Sequence, residues 1–404
     1  MLQEKDSPIR VLLIPSSDYT GHPFPQRHNQ IFDRLNNDDR FEVHVVRFGF
    51  YDKPKLRTDV TIHTLEEIKS KNLLFYYLSN AIDHAKQIIR IIKTESIDVI
   101  VLSNLSAPLV YTLMDKISPV GIPMIFDLPD YYPTSAAGYV FDTRKPLGRL
   151  TVGALDCALR HLIRHANAVT VVSHALLNYC AAVGVRNVRL VPNGISESFL
   201  TSHDGDAVRR DLGYDDQDLI IGYVGSIEFW LDFQTLLKGI ALSREKGINA
   251  KLLLVGKGLR TDYHKKVSDW ISKEGLKDSV TWLGFVPHDE VPEIMAGLDI
   301  GTIPFDVSNP TAYFSSPNKL WEYLSQKTPV MATPIPEILY HRNNVYLTST
   351  PEDYVHSISS IAMTEQKPTA RTEKGYSESL SQTWENSANA FEDVIHSVLN
   401  QKQL

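Results

Sequence analysis

The sequence predicts an α/β protein built from two Rossmann-like domains, each a doubly wound parallel sheet, facing a cleft. Three observations predict it. Short apolar runs alternate with helical stretches along nearly the whole chain. Most runs are continuously apolar rather than alternating, as strands covered on both faces require. The series pauses once, in a polar and acidic stretch from about 196 to 218, and then restarts. At 404 residues the chain favours two domains over one enlarged core.

The first series of predicted strands is 9–14, 42–48, 99–102, 123–126, 168–172 and 189–191, with helices near 27–37, 76–94, 107–117, 148–166 and 174–183. The second is 219–224, 251–255, 280–283, 300–303, 330–332 and 345–347, with helices near 231–245, 261–275, 288–297 and 317–326. These give an N-terminal domain over 1–195, a linker over 196–217 and a C-terminal domain over 218–375. A closing helix over 376–404 is expected to cross back to the first domain. Ligands in such sheets bind beyond the carboxyl ends of the strands.

Composition narrows the function. Lys plus Arg number 41 and Asp plus Glu 48, a formal charge of −7, so no global basic excess marks a nucleic-acid binder. Cys157 and Cys180 fit no zinc spacing and read as core thiols of a reducing compartment. The N-terminus lacks the apolar stretch of a signal peptide, and no apolar run approaches the roughly 20 residues of a membrane span. The expected localisation is cytoplasmic, with membrane contact only at a surface, such as the inner face of the cytoplasmic membrane.

Neither domain carries the G-x-G-x-x-G of a dinucleotide site, and there is no G-x-x-x-x-G-K-[ST] loop. The segment Ser315-Ser-Pro-Asn-Lys-Leu-Trp-Glu-Tyr-Leu-Ser-Gln-Lys-Thr-Pro-Val330 carries the informative chemistry instead. It reads as a loop, a helix with Ser316 at the N-cap and Pro317 at the first helical position, a turn and a strand. Lys319 then sits in the first turn, where a cation opposes the helix dipole unless an anion occupies the helix mouth. Glu322, a turn further in, can accept hydrogen bonds from a vicinal diol. Phosphate plus diol describes a nucleotide; a surface helix with a solvated lysine explains the segment equally well on its own. Gly225 and Ser226 end one strand of the same domain, and Gly256-Lys257-Gly258 ends another. With Asn318 these make a donor-site set of Gly225, Ser226, Lys257, Ser316, Pro317, Asn318, Lys319 and Glu322.

Several of these stretches resemble retaining glycosyltransferase family four, of GT-B fold. Arg189-Leu-Val-Pro-Asn-Gly-Ile195 is similar to that family's "v-P-N-G-v" element. Gly222-Tyr-Val-Gly-Ser-Ile-Glu-Phe-Trp-Leu-Asp232 is similar to a "G-Y-x-G-x-I-x-x-W-x-D" variant, and Ala296–Pro304 to an "a-D-i-g-l-x-P" strand. Ser316-Pro-Asn-Lys-Leu-Trp-Glu-Tyr-Leu324 is similar to "S-P-x-K-l-x-E-Y-m". The resemblance covers about 168–390. It implies transfer of a sugar from a UDP- or GDP-sugar to a glycan or lipid-linked acceptor, with retention, no cofactor and no metal. It places the diphosphate at Pro317–Lys319 and the ribose at Glu322. Two positions depart from the family: Phe314 stands where many members have a second glutamate, and Ser226, Trp230 and Leu231 occupy a loop that often carries Arg and Lys. A catalytically silent sugar-nucleotide-binding protein, or another GT-B enzyme such as an epimerase, therefore stays open.

The N-terminal domain is expected to hold the acceptor. Asp127 and Asp130 follow a strand and are the candidate catalytic carboxylates, with Asp130 preferred for orienting the acceptor or acting as base. Asp18, His22 and Arg27 come from the loop after the first strand, with Arg27 a candidate for a phosphate. Asp204-Gly-Asp206 has the form of a metal motif but reads better as a solvated turn. Two stretches mix basic and apolar residues as a membrane-facing surface would: 69–78, and 144–149 leading into a helix with Arg160 and Arg164.

Overall fold

The computed structural model describes residues 7–22, 24–48, 55–68, 70, 73–103, 109, 112–114, 116, 121–364 and 369–401. The chain forms two compact units, one of residues 1–193 with 384–404 and one of 194–383.

The first unit holds a seven-stranded sheet in the order β3-β2-β1-β4-β5-β6-β7. Its strands are β1 (Ile9–Ile14), β2 (Phe41–Phe48), β3 (Thr61–Leu65), β4 (Val99–Ser103), β5 (Met124–Leu128), β6 (Ala168–Val171) and β7 (Val188–Leu190). Every pairing is parallel. The second unit holds β10-β9-β8-β11-β12-β13, also all parallel. These are β8 (Leu219–Val224), β9 (Ala250–Val255), β10 (Val280–Gly284), β11 (Ile300–Ile303), β12 (Val330–Ala332) and β13 (Tyr346–Leu347). In each sheet the order reverses beside the first strand, between β1 and β4 and between β8 and β11. That reversal opens a crevice at the strand ends.

The central strands are buried along nearly their whole length, which is why they read as unbroken apolar runs. β3 escapes the sequence reading for the opposite reason. As an edge strand it exposes Thr61 and Thr64 and buries only Leu65, so Thr61-Ile-His-Thr-Leu65 lacks an apolar run. The helix Pro351–Ala362 was also not anticipated, although Thr350 and Asp353 form a capping box ahead of it and Pro351 opens it. The helix expected over 107–117 falls mostly outside the described residues.

Two expected boundaries differ from the structure. Residues 196–217 belong to the second unit rather than to a linker, and Asp204 caps the helix Gly205–Asp211 by accepting from the Asp206 amide at 2.9 Å. The closing stretch is two helices. Ala370–Ser379 stays in the second unit, while Trp384–Gln401 buries Phe391, Val394, Ile395 and Val398 in the first unit's core. Phe391 meets Phe32 edge-on at 5.1 Å.

Candidate functional site

In the second unit, the helix Asn318–Ser325 stands at the switch point. Pro317 is its N-cap, one residue later than the expected Ser316, so Lys319 is the second helical residue. Proline offers no side-chain acceptor, so no side chain caps the first-turn amides. Tyr323 fixes the helix to the sheet. Its hydroxyl accepts from the Val224 amide at 2.9 Å and donates to the Gly222 carbonyl at 3.2 Å. The ring lies across Gly301 of β11, where a Cβ would come within 2.5 Å of it. Tyr323 thus determines where Lys319 and Glu322 sit, a role the motif alone did not disclose.

Lys319 runs over the end of β8. Its Nζ lies 5.5 Å from the Tyr223 ring centroid and 5.4 Å from that of Phe305, within cation–π range. Gly225, at φ +139°, makes room for it: a Cβ there would sit 3.1 Å from the lysine Cε. Among the described residues neither the Lys319 ammonium nor the Glu322 carboxylate makes a hydrogen bond or ion pair. Both keep part of their surface open while protein crowds the rest. Burial lowers the Lys319 pKa, with Glu322 opposing. Burial pushes Glu322 up to about 7, with Lys319 opposing. The two charges are therefore partly desolvated, and each only partly offsets the shift of the other.

The neighbouring strand ends form a wall beside them. Gly256 presses on Gly225, where a Cβ would come 2.0 Å from the Gly225 carbonyl oxygen. Glu228, missed by the sequence reading, is buried beneath this wall and accepts from the Leu259 amide at 2.6 Å; burial raises its pKa. Lys257 is exposed at the tip of its loop, and Ser226 is exposed with its carbonyl accepting from Tyr223 at 2.7 Å. Ser316 and Asn318 flank the helix mouth and are half-buried, and Pro317 is buried.

The first unit gathers its candidates differently. Asp127, at the end of β5, is wholly buried. It accepts from Arg27 Nε at 3.2 Å and Nη2 at 3.0 Å, from Thr170 Oγ1 at 2.7 Å, and meets His28 Nε2 at 3.1 Å. Thr170 is its cross-strand partner on β6. Burial pushes the Asp127 carboxyl up, but the Arg27 charge and the His28 contact outweigh it and hold it well below the usual range. A carboxylate offers about four acceptor positions, and these contacts take up all four of those on Asp127. Arg27 is likewise committed. Its remaining nitrogen donates to Asn193 Oδ1 at 2.9 Å and, at 3.4 Å, to the Pro192 carbonyl.

Asp18 is also taken up, by its own loop and by Arg47 of β2. It accepts from the Thr20 amide and hydroxyl, both at 3.1 Å, and from Arg47 at 3.2 and 3.3 Å. His22 is half-buried, and burial lowers its pKa. Asp130 is the exception in this unit, with an exposed surface. The protein around it pushes its carboxyl up to about 6, Arg27 opposes and Asp127 adds to the push. Water at the exposed face moderates that rise.

Two doubly wound sheets in tandem, with an uncapped helix mouth at the second switch point, define a molecule of the GT-B class. The chain belongs to the group 1, family 4 glycosyltransferases: residues 34–199 match the model described as Glycosyltransferase Family 4 and residues 218–363 that described as Glycosyl transferases group 1. A Bacillus subtilis glycosyltransferase named for teichuronic acid biosynthesis is 29% identical over 217 residues, 53% of this chain and 51% of that one. The 2-deoxystreptamine glucosyltransferase of Streptomyces kanamyceticus is 23% identical over 172 residues, 41% of this chain and 43% of that one. The matched region thus spans about half the length of these curated relatives. Among solved structures, the sucrose-phosphate synthase of Thermosynechococcus elongatus superposes with TM-score 0.73 at 15% identity, over 97% of this chain and 100% of that one. An Anabaena protein in complex with UDP and glucose gives 0.71 at 17%, over 96% and 100%. At such identities the likeness concerns the fold. Among the described residues, no helix is long and apolar enough to cross a membrane.

Proposed function

We propose that this protein transfers a sugar from a nucleoside diphosphate sugar to a hydroxyl of a glycan or lipid-linked acceptor, with retention of the anomeric configuration. The observation that carries the reading is the pair Lys319 and Glu322, partly desolvated, without hydrogen-bond partners among the described residues, on a helix that Tyr323 fixes to the sheet at a switch point. A diphosphate supplies the anion that Lys319 and the uncapped amides lack. A ribose diol supplies donors to Glu322, whose carboxyl is raised to about 7 without them. The family membership and a structural relative crystallised with UDP and glucose support a UDP-sugar as the first donor to try.

The chemical demand is stabilisation of charge on the departing diphosphate and orientation of the acceptor hydroxyl. Lys319 meets the first, with Lys257 as an exposed second cation and no metal required. Asp130, the exposed carboxylate beyond the end of β5, is assigned to the acceptor. Thermal-shift measurements with UDP-, GDP- and ADP-sugars, followed by donor hydrolysis and product stereochemistry, test the proposal. Stabilisation by none of them overturns it. Stabilisation without turnover supports instead a silent sugar-nucleotide-binding protein, a reading kept open by Phe314 and Ser226, which supply no charge at positions where the family resemblance leads one to expect it.

A further inference from the structure

The segment 139–150 of the first unit contains none of the residues assigned above to donor or acceptor. Four apolar side chains stand out into solvent there: Val140 is 72% exposed, Leu150 71%, Leu147 59% and Tyr139 41%. Arg144, Lys145 and Arg149 lie among them, all exposed, with Asp142 the one carboxylate of the segment. Asp142 is occupied in part by the backbone, accepting from the Arg144 amide at 3.0 Å. In a chain of formal charge −7, this is a local basic excess interleaved with protruding apolar groups.

The segment is also braced by backbone contacts at both ends. The helix Tyr132–Gly138 runs into it, with the Phe141 amide bonded to the Ala137 carbonyl at 2.8 Å. The helix Pro146–His165 leaves it, with the Lys145 amide bonded to the Asp142 carbonyl at 3.0 Å. Gly148 presses the helix start onto the preceding turn: a Cβ there would fall 2.2 Å from the Asp142 carbonyl oxygen. The knobs are thus presented on a braced platform, so little conformational entropy is lost when they insert. Further along, the same helix buries Leu159, Leu162 and Ile163 and exposes Arg160, His161, Arg164 and His165.

We propose that the face formed by Tyr139, Val140, Leu147 and Leu150, rimmed by Arg144, Lys145 and Arg149, docks the protein onto an anionic phospholipid surface. Apolar side chains enter the interface while the basic rim meets the headgroups, the combination by which a surface-lying amphipathic segment holds to lipid. The proposal is independent of the sugar donor.

The full chain, without nucleotide, is mixed with vesicles of phosphatidylcholine alone and with vesicles in which about a quarter of the lipid is phosphatidylglycerol, and then floated. Binding to the anionic vesicles, weakened by salt, is the expected result. The triple substitution Arg144→Glu, Lys145→Glu and Arg149→Glu should reduce partitioning on the order of 100-fold, since each cation near such a surface contributes about fivefold. Leu147→Asp with Leu150→Asp should abolish it while leaving the melting temperature unchanged, because both side chains are exposed. Failure of the wild type to float with anionic vesicles overturns the proposal, as does binding that both variants retain. Dimerisation that the leucine variant abolishes, without lipid binding, overturns it in favour of contact between copies of this chain.

Discussion

The end of β5 in the first unit and the helix mouth beside β8 in the second each gather opposite charges against a parallel sheet, yet they are built to opposite ends. Asp127 and Arg27 are buried and fully hydrogen-bonded, and the carboxyl is held far down its range. Lys319 and Glu322 are crowded but unsatisfied, and both are shifted toward their neutral forms. Desolvating a charge is costly unless partners replace the lost water. Where the protein supplies the partners, the charges are structure. Where it withholds them, the deficit is available to a ligand.

The comparison breaks most visibly at Asp127. Asp127→Asn leaves Arg27 buried without its counter-charge and should lower unfolding free energy by about 3–5 kcal/mol, read by urea denaturation. Because the folded pKa of Asp127 lies below its unfolded value, its stabilisation is present above pH 3.8 and fades as pH falls below it. A loss under about 1 kcal/mol would show that the network is dispensable. Lys319→Met should do the reverse. Stability should hold or rise, while donor affinity by calorimetry falls about 10- to 100-fold, the range for a lost charged hydrogen bond.

Smaller effects sharpen the contrast. Tyr323→Phe removes the acceptor of the Val224 amide and should cost about 1–2 kcal/mol of stability. It should also weaken donor binding, because the helix loses its pin; unchanged donor affinity would detach Tyr323 from the site. Glu322→Gln tests the strain directly. The folded carboxyl, at about 7, binds its proton more tightly than the unfolded one at 4.5, so its penalty is nil below pH 4.5 and complete above pH 7. The substitution should therefore raise the melting temperature at pH 8 and not at pH 4. Solvent reaching the partly open side chain limits the gain to about 1 kcal/mol. Donor affinity should fall at the same time.

Much of the second unit was legible in the sequence because its signals are local. The strands 219–224, 300–303 and 330–332 are short, fully buried and largely apolar runs with bounds that match the structure. Lys319 and Glu322 are one turn apart on a helix announced by Pro317. The first unit was less legible at its site. Asp127, Arg27 and Asp18 are residue types that serve catalysis and architecture alike, and their partners Thr170, Asn193 and Arg47 lie 43, 166 and 29 residues away. No spacing rule links such distant positions. Tyr323 was hidden for a related reason: its role depends on Gly301 and Val224, on two other strands.

By itself, then, the sequence determined the alternation of buried strands and helices, the two-sheet architecture and the segment that mounts Lys319 and Glu322. Periodicity and end signals act within a few residues of the backbone and survive without tertiary context. The tertiary structure decided which charges are satisfied. It closed Asp127 and Asp18 with partners from remote segments, left Asp130, Lys319 and Glu322 short of them, and braced the exposed leucines of 139–150 outward. Satisfaction and exposure belong to the packed assembly of side chains, and only folding brings those side chains together.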